Sequence, residues 1–231
     1  MMTKLTPKKL KKVPYKHDPD TSPAITHFPS PINPQANLLS EEEKIKIISD
    51  HFQGILETLG LDMTDDSLIR TPTRIAKMYV QEIFSGLNSE NFPSISFFKD
   101  EFHHEHKANM VFVKVGFTSF CEHHFVPMNG TVYVAYLPQD RLIGLSKIPR
   151  IVRFFAKRPQ VQERLTAQIA DSLSLLIQTE NVAVSIIANH FCVIARGIED
   201  ESGHTITNIL RGEFNTNDAL RREFFEGINR Q

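Results

Sequence analysis

The chain has only two cysteines, and each lies close to histidine: Cys121-Glu122-His123-His124 in one stretch, His190-Phe191-Cys192 in another far along the chain. Thiolate and imidazole suit a zinc ion, and a site with three protein ligands leaves a fourth tetrahedral position for water. The two-residue gap lets one tight turn aim Cys121 and His124 at a common point, while Cys192 must be delivered by a distant segment. Such a metal site is closed only by tertiary structure, so any fold that satisfies it lays these two stretches side by side. The plain alternatives are that the two thiols simply pack in a core, or that a zinc ion only staples the fold. A disulfide between them is disfavoured in a reducing compartment.

The stretch Val182–Arg196 is β-branched and apolar and reads as one strand or a tight strand pair. If it runs as a single strand, His190, Cys192 and Arg196 share a face, because alternate residues of a strand point the same way. Further β texture covers Met110–Val115 and Thr131–Leu137, and Val182–Ile198 continues it. Between the latter two, Ile148–Ala156 and Val161–Ile177 space their apolar residues as helices do, with Pro159 at the junction. Strand pairs flanking two consecutive helices predict an antiparallel sheet covered on one face.

Upstream, Ser40 and Glu43 form a capping-box pattern, after which Ile45, Ile48, Phe52, Ile55, Leu56 and Leu59 recur at helical spacing until Gly60. A second helix is predicted with Thr71 as its cap and Pro72 at its first position, ending near Gly86. Arg74 near the start of that helix has no favourable dipole there, which points to an anionic partner, against the plain reading of a solvated charge. Residues 1–39 are rich in lysine and then proline without sustained period, and read as a solvated, loosely docked arm. Phe102–Lys107 carries three histidines but no thiolate in a polar stretch, and reads as a solvated loop rather than a second metal site. The organisation expected is thus an arm at 1–39, a helical region at 40–108 and a catalytic domain at 109–231.

A net charge of −1 gives no global attraction to nucleic acid or to an anionic membrane, so binding of any polyanion must come from local basic residues. No apolar run reaches transmembrane length, and the N-terminal lysines lack the apolar core of a signal peptide, so a cytoplasmic protein is expected.

Four blocks, Phe117–Gly130, Ile143–Arg150, Arg158–Leu165 and His190–Gly197, resemble in order and spacing the signature blocks of the GTP cyclohydrolase I family. The resemblance extends back through Asp66–Tyr79 and Glu82–Leu87 and forward into the C-terminal helix. It implies an α+β tunnelling fold, in which an antiparallel sheet carries two consecutive helices on one face and sheets join between subunits into a barrel. It further implies a homodecamer of two five-membered rings, with pockets assembled from neighbouring subunits.

The activity it implies is hydrolysis of GTP at guanine C8, releasing formate and forming 7,8-dihydroneopterin triphosphate. In that reading Cys121, His124 and Cys192 hold Zn²⁺, which lowers the pKa of a water molecule toward neutrality. His190 supplies the proton to N7, a task suited to a side chain that titrates near neutrality. His123 matches a family residue implicated in water activation or later proton transfers. Glu163 aligns with the glutamate that reads the guanine N1–H and amino group, with Gln162 as its helper. Arg74, Lys147, Arg150 and Arg196 align with positions that surround the triphosphate, and Ser146 with its polar sugar-phosphate region. The acidic run around Ile198–Thr207 departs from the small, threonine-rich segment usual there, retaining Thr205 and Thr207.

Two rival readings stand beside this one. A tunnelling-fold relative that reduces a purine nitrile with a nicotinamide cofactor would use a free cysteine nucleophile rather than paired thiolates. A non-catalytic ring stapled by zinc would need neither an open coordination position nor converging basic residues.

Overall fold

Register within one antiparallel sheet builds the scaffold of this chain. The computed structural model describes residues 39–99, 110–139 and 141–230; the expected arm up to residue 38 and the Phe102–Lys107 loop lie outside the described residues. Strands β2 (Val111–Cys121), β3 (Pro127–Tyr136), β5 (Pro159–Gln160), β6 (Val182–His190) and β7 (Thr205–Leu210) form a sheet in the order β5-β2-β3-β6-β7. All neighbours are antiparallel except β5, which runs parallel to the end of β2. A separate ribbon pairs β1 (Phe97–Lys99) with β4 (Arg141–Ile143). The chain is thus a mixed α+β protein, as expected.

Helices α3 (Lys147–Ala156) and α4 (Gln162–Ile177) cover one face of the sheet. Alternation supplies the core: Val115, Phe117, Met128, Val132, Val184 and Ile186 point toward the helices. The expectation of a single covered face needs correction. The one-turn α6 (Glu213–Thr216) and helix α7 (Asp218–Asn229) pack on the opposite face at one end, where Tyr133, Ala135, Phe214, Leu220 and Phe224 form a second cluster. Elsewhere that face carries exposed polar residues, among them Thr118, Asn129, Asn189 and Asn208, with Ile206 also exposed.

Several strand boundaries also differ from the sequence reading. Strand β2 runs on to Cys121 because Ser119, though polar, is buried and satisfied by donating to the Ala156 carbonyl at 2.6 Å. Strand β3 begins at Pro127 rather than Thr131. Strand β6 stops at His190, and Phe191–Ile194 turn into one helical turn, α5, so His190, Cys192 and Arg196 do not share a strand face. The acidic run from Ile198 leads into strand β7, which the sequence reading did not predict.

The N-terminal region is helical. Helix α1 (Glu41–Thr58) has the complete capping box: Glu43 N donates to Ser40 Oγ at 3.2 Å and Ser40 N to Glu43 Oε2 at 2.8 Å. None of its residues is fully buried, and Ile55 is 49% exposed. Helix α2 (Thr71–Lys77) starts one residue earlier than predicted: Arg70 holds the cap position without a side-chain bond, Thr71 is the first helical residue, and Pro72 follows it. The backbone then widens into a π-helical turn at Met78–Ile83. Tyr79 on that turn meets Phe52, Phe84 and Phe125 edge-on at 5.3, 5.3 and 6.2 Å, tying the helical region to the loop after β2. No helix among the described residues is long and apolar enough to cross a membrane.

Gly86 docks this region on α3. Its N–H donates to the Lys157 carbonyl at 2.8 Å, and its carbonyl accepts from buried Arg158 Nε at 2.8 Å. The Arg158 guanidinium stacks over Phe154 at 4.5 Å and Phe155 at 5.0 Å. A Cβ on Gly86 would lie 2.1 Å from the Phe154 carbonyl oxygen and 2.7 Å from that of Lys157. Gly86→Ala must therefore shift backbone against backbone, costing about 1–3 kcal/mol. At about 2–4 °C per kcal/mol for a chain of this size, thermal unfolding is expected to fall by several degrees; an unchanged midpoint would contradict the docking described.

Candidate metal centre

The turn between β2 and β3 is closed by its own backbone. Cys121 N–H donates to the Val126 carbonyl at 2.9 Å, and Phe125 N–H to the Cys121 carbonyl at 2.8 Å, with Phe125 in the left-handed region at φ 53°. This conformation is uncommon for a bulky residue and lets the chain reverse within five residues, so that Cys121, His123 and His124 all project from one tight loop. The Glu122 N–H reaches across to the Gln160 carbonyl at 3.0 Å. The rings of His123 and His124 lie 6.3 Å apart at 69°, with Nδ1 of each near the Cys121 sulfur, at 3.7 and 4.0 Å.

Register brings in the remote ligand. Met128, next to the start of β3, pairs with His190 at the end of β6, so Cys192 arrives beside the turn two residues later. The ligating atoms of Cys121, His124 and Cys192 all lie within 4.8 Å of one another. A tetrahedral zinc ion needs these atoms about 3.5–3.8 Å apart, so the trio fits such an ion with a small inward movement. Cys121 is buried, Cys192 half-buried and His124 exposed. That gradient leaves one side of the centre open. Burial pushes the Cys192 thiol up from its ordinary value, and the neighbouring Cys121 sulfur adds to this. A divalent cation reverses that balance by favouring the thiolates.

His190 is anchored by Gln162, whose side chain is fully buried at the first residue of α4. The Gln162 amide nitrogen lies among three acceptors: the Ile186 carbonyl at 3.0 Å, the Thr205 carbonyl at 3.0 Å and Thr207 Oγ1 at 3.1 Å. These neighbours decide which end of the amide is nitrogen, so Oε1 faces His190 Nε2 at 2.7 Å. A carbonyl oxygen accepts only, so Nε2 carries hydrogen and Nδ1 is the nitrogen left free. Burial holds the imidazole below its ordinary pKa, with Glu163 pulling the other way. Sequence reasoning placed Gln162 beside the ligand; the structure gives its side chain an internal role, which only a map of the surrounding acceptors could reveal.

A family model described as GTP cyclohydrolase I matches residues 48–229. The chain belongs to the GTP cyclohydrolase I family. It is similar to "GTP cyclohydrolase 1" of Aeromonas salmonicida, 51% identical over 194 residues that make up 84% of this chain and 88% of the relative. The protein of the same name from Vibrio cholerae is 52% identical over 195 residues, covering 84% and 88%. That from an Enterobacter species is 50% identical over 200 residues, covering 86% and 89%.

Within this family member, the remaining candidate residues divide into two sets. Arg196 Nη1 lies 2.9 Å from His124 Nε2, and Glu163 stands exposed at the start of α4, so both belong with the metal trio and His190. Ser146, Lys147 and Arg150 lie at the start of α3, and Arg74 on α2. Among the described residues no hydrogen bond or ion pair joins these four to the trio. Sequence reasoning missed one pair altogether: Arg164 Nη1 and Nη2 donate to Glu122 Oε2 and Oε1 at 2.5 and 3.1 Å. Glu122 was legible only as the spacer between the candidate ligands.

Removing one thiolate should weaken metal binding sharply. Cys192→Ser is expected to lower zinc affinity by at least about 100-fold, since even outer-shell partners of a metal contribute about 10–100-fold. Chelator competition with a zinc-responsive dye measures this, and equal affinity in the variant would remove Cys192 from the site.

Proposed function

We propose that this chain hydrolyses GTP at guanine C8, releasing formate and forming 7,8-dihydroneopterin triphosphate. The observation that carries the reading is the convergence of Cys121, His124 and Cys192 beside a His190 fixed by Gln162, in a chain about half identical to proteins named GTP cyclohydrolase 1.

The metal of this reading is zinc, the cation best suited to two thiolates and an imidazole with one position open. When bound, it supplies Lewis-acid activation of water near neutral pH. His190 takes up a proton at Nδ1 and passes it on, its Nε2–H being held by Gln162. Kept neutral by burial, it takes up a proton and returns it without leaving its place. His123, 3.7 Å from the Cys121 sulfur through Nδ1, stands where it assists water or a later transfer. Glu163 accepts hydrogen bonds from the guanine N1–H and amino group, a pair of donors that adenine does not present on that edge. Arg196, Lys147, Arg150 and Arg74 surround the triphosphate, with Ser146 at its sugar end.

The finer architecture belongs to the same proposal. Ahead of Phe120, residues 111–119 of β2 have no strand partner on their outer side among the described residues, and β7 is the opposite edge. Unpaired edges invite pairing, and closure into a barrel removes them. Subunits would then join edge to edge into a five-membered ring, two rings forming a decamer. This would bring the α3 and α2 basic residues of one subunit to the metal centre of another. In this layout residues 109–231 are the catalytic domain, 40–108 a helical region and 1–39 an arm.

Purified protein loaded with zinc and incubated with GTP should release formate and develop pterin absorbance, and Cys192→Ser should abolish both. A zinc-loaded assembly that yields no product would overturn the reading. Size-exclusion with light scattering, coupled to the same assay, should place all activity in a large oligomer; turnover by an isolated monomer would overturn the shared pocket.

A further inference from the structure

Three consecutive residues open α4, and each reaches a different part of the centre. Gln162 holds His190, Glu163 stands exposed beside it, and Arg164 grips Glu122 with both terminal nitrogens. Glu122 lies between the ligand Cys121 and the two histidines. Its carboxylate is also 4.0 Å from His123 Nε2, while His123 Nδ1 lies 3.7 Å from the Cys121 sulfur. Arg164 and Glu122 are only 27% and 21% exposed in their side chains. The fork of a guanidinium on a carboxylate is directional as well as attractive, so it fixes orientation where a lysine would only attract.

We infer that Arg164 and Glu122 are positioning residues, which lock the Cys121–His124 turn onto the first turn of α4 so that metal ligands and proton carrier are set by one rigid element. The need for such a lock lies in the turn itself. Its backbone closes at Cys121, Val126 and Phe125, but His123 and His124 are exposed. The backbone bond from Glu122 to Gln160 ties one point of the turn to the chain just before α4. The ion pair supplies a second point, and two points remove the rocking that one alone permits. The inference rests on the zinc reading above and goes beyond it by assigning two residues that bind neither metal nor substrate.

The test uses the full-length protein as Arg164→Ala, as the isosteric Glu122→Gln and as the double variant, with zinc affinity by chelator competition and the visible spectrum of the cobalt(II)-loaded form. Each single variant is expected to weaken zinc binding by about 10–100-fold, the range seen for outer partners of metal ligands. The cobalt bands should shift or broaden, and the double variant should be no worse than the poorer single one. Arg164→Lys should recover only part of the affinity. A merely stabilising surface pair would lower the unfolding midpoint yet leave zinc affinity and cobalt spectrum at wild-type values, and that result overturns the inference. Additive losses in the double variant would overturn it too. If Arg164→Ala does not fold, Glu122→Gln and Arg164→Lys decide by the same readouts. Wild-type protein that takes up no zinc would overturn the metal reading, and this inference with it.

Discussion

The pairing of β3 with β6 sets everything at this centre. Met128 opposite His190 places the end of β6 against the start of β3, and the tight turn before β3 carries Cys121 and His124. Because side chains alternate across a strand, a slip of one residue would turn His190 to the other face and bury polar groups in the helix-covered core. Close approach pins this register. A Cβ at Gly130 would lie 2.0 Å from the Ile187 carbonyl, so only glycine permits the two strands to come together here. The apolar residues of β3 and β6 under α3 and α4 then make the register costly to leave, since each buried aliphatic side chain contributes on the order of 1.5–3 kcal/mol.

The order of elements in the chain follows from the same geometry. Strand β5 is only two residues long, yet Gln160 pairs with Cys121 and its carbonyl accepts from Glu122. It therefore delivers α4 directly beside the metal turn. Helix α4 reaches the sheet at the point where β6 ends and β7 passes, which is why one buried glutamine can touch both strands and the histidine that ends β6. Chemistry at the centre thus depends on four short junctions, with the long elements serving to hold them in place.

Much of this was legible in the residues, and the omissions have physical causes. Periodicity located α1, α3 and α4 because their apolar residues recur strongly, and the cysteine and histidine pattern located the metal trio because few other arrangements use those groups at that spacing. The strand ends were harder. Residues 116–121 mix Gly116, Thr118 and Ser119 into β2, and the burial of Ser119 against the end of α3 comes from a tertiary contact that local pattern does not encode. Val193 and Ile194 read as strand by propensity but enter a helical turn, since β6 has reached the end of its partner β3. Strand β7 sets Thr205, Thr207 and Asn208 among Ile206, Ile209 and Leu210, so no clean alternation marks it. The Gln162 anchor and the Arg164–Glu122 pair join residues far apart in sequence, so no window of sequence contains them.

Strand β7 has a consequence for how the molecule would fail. It lies at the edge of the sheet, and it supplies two of the three acceptors that hold the Gln162 amide. Where no neighbouring subunit closes that edge, the strand opens locally at lower free energy than a core. When β7 frays, the glutamine is released to turn over and the imidazole loses its fixed tautomer, while the packed layers beneath α3 and α4 stay intact. Heat or mild denaturant would then silence the protein at the sheet margin well before it melts.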